Sequence, residues 1–194
     1  MGAPMTDLVP PERFETDRFV LRSFTEHDGP ALLDAMSSSY EHLAPWMAWA
    51  SRDIDVATTE RLARRSRGAW LLSEAFLLAI EAPEGGRLLG AGGFSLGDGG
   101  LASGVADLGL WLRADAAGQG LGHASLQAML RWGFDAWPWQ QLRWDCDTHN
   151  AASQRTAARA GMQLVEVRRD EPATVGGGTQ DTASYVAQRH SWSG

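Results

Sequence analysis

A chain of 194 residues is long enough for one domain that buries roughly 70% of its unfolded surface without disulfides or metal. Its hydrophobic share of 44% is that of a soluble globule, and its single cysteine, Cys146, excludes an internal disulfide and any multi-cysteine metal site. The formal charge is −7 and all 17 basic residues are arginine, which excludes a Schiff-base lysine and a P-loop lysine, makes nucleic acid a poor partner, and leans towards amine-bearing partners.

Residues 1–11 read as a flexible N-terminus. The opening "MGAPMTDLVPPERFETD" lacks a basic region followed by an apolar core, and no apolar run approaches the roughly 18 residues that span a bilayer, so a cytoplasmic protein free of membranes is expected. "DRFVLRSF" (17–24) alternates like a strand, and Thr25 can cap a helix over about 26–37 that holds Pro30 early. "YEHLAPWMAWA" (40–50) reads as irregular. A helix over about 55–71 carries Arg61, Arg64, Arg65 and Arg67, either a solvated basic face or one turned to a substrate. "EAFLLAIEA" and "RLLGAGGFSL" flank the turn "PEGG" and form a hairpin.

A strand over 104–113 runs into "RADAAGQGLGHAS", where Gly118, Gly120 and Gly122 alternate, and then Leu126, Met129, Leu130, Phe134 and Trp137 mark a helix stripe. "QLRWDCD" (141–147) is again a strand, with Leu142, Trp144 and Cys146 on one face and Arg143, Asp145 and Asp147 on the other. Asn150 and Gly161 bracket a short helix as N-cap and C′ residue. Strands over about 162–169 and 182–190 close the chain, and "EPATVGGGTQD" (171–181) reads as a mobile loop. Strands interspersed with helices argue for an α/β or α+β single sheet.

Strand, glycine-rich turn and helix together present bare amides and a positive helix end to a phosphate. Counted from Gly118, the sixth residue of a dinucleotide fingerprint would be His123 instead of glycine, so that pattern fails, and the P-loop fails for want of lysine. A shorter loop matched to a pyrophosphate remains.

"AAGQGLG" before a helix, followed by "NAASQRTAARAGM", resembles the GNAT superfamily of acyl-CoA-dependent N-acetyltransferases. Within it the chain is most similar to the RimJ/RimL branch, through "TDRFVLRSF", "HLAPWMAWA" and "ADLGLWL", over about residues 12–192. The resemblance implies a single-domain GNAT fold: a mixed, twisted sheet of six or seven strands flanked by about four helices. It implies acetyl-CoA as cosubstrate, no metal, an amine-bearing acceptor (a protein N-terminus or a small molecule) and a homodimer. The family loop falls on Ala117, Gly118, Gln119, Gly120, Leu121 and Gly122, with alanine where a polar residue is usual. The backbone of Trp111, Leu112 and Arg113 is expected to bond the pantetheine arm like an added strand, and Asn150 to bind its amide.

Amine acetylation needs a base for the ammonium proton, a donor for the developing oxyanion and a partner for the departing thiolate. Relatives carry an acidic residue at the position of Asp107, which shares a strand face with Gly109 and Trp111, so Asp107 is the first candidate base. Its alternative role is to order the sheet, and Asp145 and Asp147 stand in reserve. The tyrosine that many relatives place seven residues after the asparagine is Ala157 here, whereas Ser153 matches the serine of the RimJ/RimL branch and can bond the thiolate.

Cys146 invites an acyl-cysteine, but its apolar neighbours favour a core role. His123 and His149 flank the site without a third metal ligand. Trp46 and Trp49 are candidate walls of an acceptor pocket, with ordinary packing as the alternative, and Tyr185 is a candidate acid or acceptor-pocket contact. A larger acyl donor such as succinyl-CoA, a non-catalytic acyl-CoA-binding module and a nucleotide-binding protein are the alternatives.

Overall fold

The computed structural model describes residues 9–193, so most of the segment expected to be flexible, residues 1–8, lies outside the described residues. In chain order the elements are β1 (Arg13–Glu15), β2 (Val20–Ser23), α1 (Gly29–Ser37), α2 (Tyr40–Leu43), α3 (Val56–Leu71), β3 (Phe76–Glu81), β4 (Leu88–Leu96), β5 (Val105–Leu112), α4 (Leu121–Asp135), β6 (Gln141–Asp147), α5 (Ala151–Arg159), β7 (Gln163–Pro172) and β8 (Thr179–Gln188). The eight strands form one sheet in the order β1-β2-β3-β4-β5-β6-β8-β7. Among the described residues every adjacent pair is antiparallel except β5 and β6.

The strand beyond the expected number is β1, whose three residues make a strand only by pairing with β2, Phe14 opposite Leu21. The fifth helix, α2, is a single turn inside the segment that reads as irregular. No helix among the described residues is long and apolar enough to cross a membrane.

Both faces of the sheet are covered. On one, α4 drives Leu126, Met129, Leu130 and Phe134 into a core with Trp70, Phe76, Phe94, Trp132, Trp137 and Trp139. The last two stack with centroids 5.9 Å apart at 12°, and Phe76 meets Trp137 edge-on at 4.7 Å. On the other, Leu32, Ala35 and Met36 of α1 pack with Phe24, Leu88 and Ala91, and Trp111 lies against them. Nothing larger than glycine fits at position 90: a Cβ there would stand 2.1 Å from the Trp111 carbonyl oxygen and 2.9 Å from Leu112 Cα. Both atoms are backbone of β5 and cannot yield alone. Gly90→Ala is therefore expected to cost about 1–3 kcal/mol or more, read as a lower urea midpoint at unchanged m-value; an unchanged midpoint refutes it.

Helix α1 begins at Gly29, later than position 26, because Thr25 does not cap it. Its amide and hydroxyl donate to Asp28 Oδ2 at 2.7 and 3.2 Å. Asp28 also binds Arg22, which uses all five N–H groups: two to Asp28 (2.8 and 2.7 Å), two to Glu81 (3.0 and 2.9 Å) and one to the Ser23 carbonyl (3.1 Å). Glu81 in turn accepts from the Gly86 amide at 3.1 Å. One guanidinium thus ties β2, the start of α1 and the β3–β4 turn together.

Asp55 caps α3 by accepting from the Thr58 amide at 2.8 Å, and Thr59, Ala63 and Trp70 are its buried side. None of its arginines lines the groove between β5 and β6: Arg64 sits 3.7 Å from Glu60 and Arg67 bonds Glu12. That placement favours the solvated basic face over the substrate-facing one. The loop expected over residues 171–181 is shorter, residues 173–178, because strand takes both of its ends. Glu171 pairs with Gln180 and Pro172 with Thr179, which confines Gly176, Gly177 and Gly178 to the hairpin tip.

Candidate active site

The parallel pair β5–β6 stays in register only for Val105–Asp107 against Gln141–Arg143. Beyond that the strands part. β5 remains bonded to β4 as far as Leu112, and β6 to β8 as far as Asp147, so residues 108–112 and 144–147 present facing edges with no strand between them. The gap opens into a groove of about 850 Å³ lined by both edges.

Because β5 and β6 run the same way, the helices that follow them start on the same side of the sheet. After β5 the chain turns through the Ala116 and Ala117 amides, both bonded to the Arg113 carbonyl at 3.1 and 3.0 Å. It then passes through Gly118 and Gly120, each at φ +77°, into α4. A side chain is strained at that φ, and this is the reason for glycine at both positions. A Cβ on Gly118 would meet nothing within 4 Å. Gly122 differs: it is helical, and a Cβ there would make ordinary contact with Leu112 at 3.6 Å and Thr156 at 3.9 Å. The Ala124 amide, on the Gly120 carbonyl at 3.1 Å, is the first to bond within α4, so the amides of Leu121, Gly122 and His123 have no intrahelical partner. These bare donors, the open glycine turn and a positive helix end fit a diphosphate.

After β6, Asn150 caps α5 as expected: its Oδ1 accepts from the Ser153 amide at 3.0 Å. Ser153 Oγ accepts from Trp144 Nε1 at 3.0 Å, so its own hydroxyl proton is what it can donate on the groove side, where Cys146 is one acceptor. Cys146 lines the groove beside it. Burial pushes its thiol up, the Asp145 and Asp147 carboxylates add to that, and hydrogen bonds from Ser153 and Trp144 offset it in part. A thiol held neutral at pH 7 is a poor nucleophile, which weighs against an acyl-cysteine.

The structure brings Trp111, Leu112, Ala117, Gly118, Gly120, Gly122, Asn150, Ser153 and Trp46 together on the groove wall. Others of the expected site stand elsewhere. The Arg113 amide is already bonded to the Leu89 carbonyl at 2.8 Å, and its buried side chain holds Asp34 and Asp115, so it braces the loop instead of offering an edge. Gln119 turns its side chain to the Asp115 carbonyl at 3.1 Å and its own carbonyl accepts from Arg18 at 3.0 Å. The Leu121 side chain is buried in the core and only its amide faces the turn. Trp49 leans on Trp111, centroids 5.5 Å apart, outside the wall. Tyr185 is part of the core, its hydroxyl 3.5 Å from Gln154 Oε1.

The carboxylates sort by partner. Asp107 accepts twice from Arg143, at 2.6 and 2.9 Å, and is not on the groove wall. Asp145 is on the wall but bonded to Arg168 at 2.7 Å. Asp147, also on the wall, binds His149 through Oδ1 alone, the amide at 2.7 Å and Nδ1 at 2.9 Å.

Wall residues without a sequence signal include His42, Pro45 and Met47 after α1, and Arg168, Glu171 and Thr174 of the β7–β8 hairpin. The first three follow no period, and the last three are placed by a pairing that the glycines of 176–178 disguise. Arg155 and Arg159 of α5 also line the groove; their spacing of four residues from one another, three and seven from the wall residue Ala152, was the available signal.

Residues 18–163 match the sequence model of the acetyltransferase (GNAT) domain. No curated protein matches the chain. Among solved structures, the microcin C7 self-immunity acetyltransferase MccE in complex with acetyl-CoA and AMP superposes with a TM-score of 0.80 at 20% identity, over 89% of this chain and 93% of that one. A RimL ribosomal L7/L12 α-N-protein acetyltransferase in complex with coenzyme A gives 0.82 at 20% identity, over 91% and 98%. The ribosomal-protein-S5-alanine acetyltransferase of Vibrio fischeri gives 0.81 at 14%, over 95% and 100%. At such identities the likeness speaks for the fold. With the domain match across most of the chain, the glycine turn and the parted strands, this protein belongs to the GNAT acetyltransferase family.

Proposed function

We propose that residues 12–192 form an N-acetyltransferase that moves an acetyl group from acetyl-CoA to a primary amine, on a protein N-terminus or a small molecule, by direct transfer. The observation that carries this reading is the gap between residues 108–112 and 144–147, open between the glycine turn and the Asn150–Ser153 helix start. Neighbours of the same fold are described with acetyl-CoA or coenzyme A bound, and as acting on ribosomal proteins.

In the reaction a nitrogen–carbon bond forms and a carbon–sulfur bond breaks. The amine proton passes to a carboxylate, and Ser153 donates its hydroxyl hydrogen bond to the thiolate. We assign the base to Asp147 in place of Asp107, because both Asp107 oxygens already accept from Arg143 whereas Asp147 lines the groove and its bonds to His149 use Oδ1 alone. Asp147→Asn is expected to lower kcat by ~10²-fold or more with the KM for acetyl-CoA kept, and Asp107→Asn to change kcat little. The reverse pattern returns the base to Asp107. A panel of amine acceptors assayed by release of CoA thiol, with acetyl-CoA and succinyl-CoA as donors, tests the reaction itself. Faster turnover of succinyl-CoA moves the assignment to a larger acyl donor, and binding without turnover leaves a non-catalytic module.

A further inference from the structure

The groove wall opposite the glycine turn is α5, and Ala152, Arg155, Thr156 and Arg159 fall on its groove side. Thr156 fixes the level: its hydroxyl lies 3.9 Å from where a Cβ on Gly122 would stand. The bare amides of residues 121–123 are therefore opposite the middle of α5. The first turn of the helix, where Ser153 bonds Trp144 of β6, lies beside the parted strands. At 1.5 Å per residue, Arg159 lies roughly 6 Å beyond Arg155, past the amide cradle and away from the acyl end.

Both arginines are exposed. Among the described residues neither has a carboxylate within 4.0 Å, although most of the chain's arginines do. Two like charges four residues apart on a helix repel one another. The helix dipole favours a cation in the last turn, but it does not require that cation to face a groove. On the opposite side of the turn Arg18 stands over the glycines, donating to the Gln119 carbonyl at 3.0 Å. One end of the groove is thus rimmed by unpaired guanidinium groups in a chain of charge −7.

We propose that Arg155 and Arg159 form a second phosphate site, separate from the amide cradle, that takes the ribose 3′-phosphomonoester of the acyl donor and so selects CoA over its dephospho form. The inference rests on the donor reading above. The diphosphate is met by amides and a helix end, whereas a terminal phosphomonoester dianion is matched by two guanidinium forks one helical turn apart.

The test is calorimetric binding of CoA and of 3′-dephospho-CoA to the wild type, to R155Q and R159Q, and to R65Q. The last removes a remote exposed charge on α3 and controls for net charge. The wild type is expected to bind CoA about tenfold more tightly at low salt, the preference shrinking as salt rises. R155Q and R159Q are each expected to lose most of that preference while binding dephospho-CoA as the wild type does, and R65Q to keep it. Equal binding of the two ligands by the wild type overturns this inference alone. So does an equal weakening of both ligands by R155Q and R159Q, which would place those arginines on the diphosphate. Failure of either ligand to bind overturns the donor site, and this inference with it.

Discussion

Replacing Arg22 by methionine is expected to remove about 3–5 kcal/mol of stability at pH 7, the usual consequence of taking one partner from a buried ionic network. Among the described residues the guanidinium is the sole cation bonded to Asp28 and Glu81, and all three side chains are largely buried. Burial raises the Asp28 carboxyl, but the Arg22 bonds and the Thr25 amide more than reverse that; Glu81 is lowered by Arg22 first, against its own burial, with help from the Gly86 amide. Carboxyls held below their unfolded values stabilise above the ordinary carboxylate range and lose that contribution as pH falls through the folded values. The wild type therefore weakens on acidification below about pH 4. In the variant two buried carboxylates lack a counter-charge, so protonation relieves them and the gap to wild type narrows as pH drops. Urea melts at pH 7, 5 and 4 measure it. A gap that stays constant or widens towards acid shows that the network does not carry this stability.

Gly120→Val is expected to leave a folded protein whose affinity for CoA falls by more than about 100-fold. Its φ of +77° costs a β-branched residue roughly 1–2 kcal/mol, and relaxing that strain turns aside the amides that follow, each charge-assisted bond being worth about 1.5–3 kcal/mol. Space is not the cause, since the nearest atom to a Cβ at Gly120 is an Arg18 guanidinium nitrogen at 4.0 Å. Gly122→Ala is the informative companion: helical and free of close contact, it is expected to keep CoA affinity within a few-fold. Calorimetry on both variants decides, and wild-type affinity in the valine variant would remove the glycine turn from the donor site.

Much of the fold is legible in the order of residues, and the exceptions share a cause. The 55–71 helix, the 141–147 strand and the Asn150 and Gly161 brackets of α5 come out nearly residue for residue, because periodicity and capping are local. Strand β1 and the outer ends of β7 and β8 do not, since pairing with a neighbour makes strand of three residues, or of the residues that flank a glycine-rich tip. The site divides in the same way. Alternation puts Asp107 on a face with Gly109 and Trp111, yet only the parallel register of β5 on β6 brings Arg143 opposite it and closes its carboxylate off. The backbone of Arg113 was committed to Leu89 by the β4–β5 register, which no local pattern records.

The lone parallel neighbours in the sheet carry a topological consequence. Strands that run the same way cannot be joined by a tight reversal and require a crossover, here α4. The same connection brings the carboxyl ends of both strands to one border of the sheet, where each hands over to a helix. Had β6 run the other way, its following helix would have begun at the opposite border, and the bare amides of α4 would never have faced the Asn150–Ser153 start of α5 across a single opening. The direction of one strand thus decides both where the sheet splits and what chemistry stands on either side of the split.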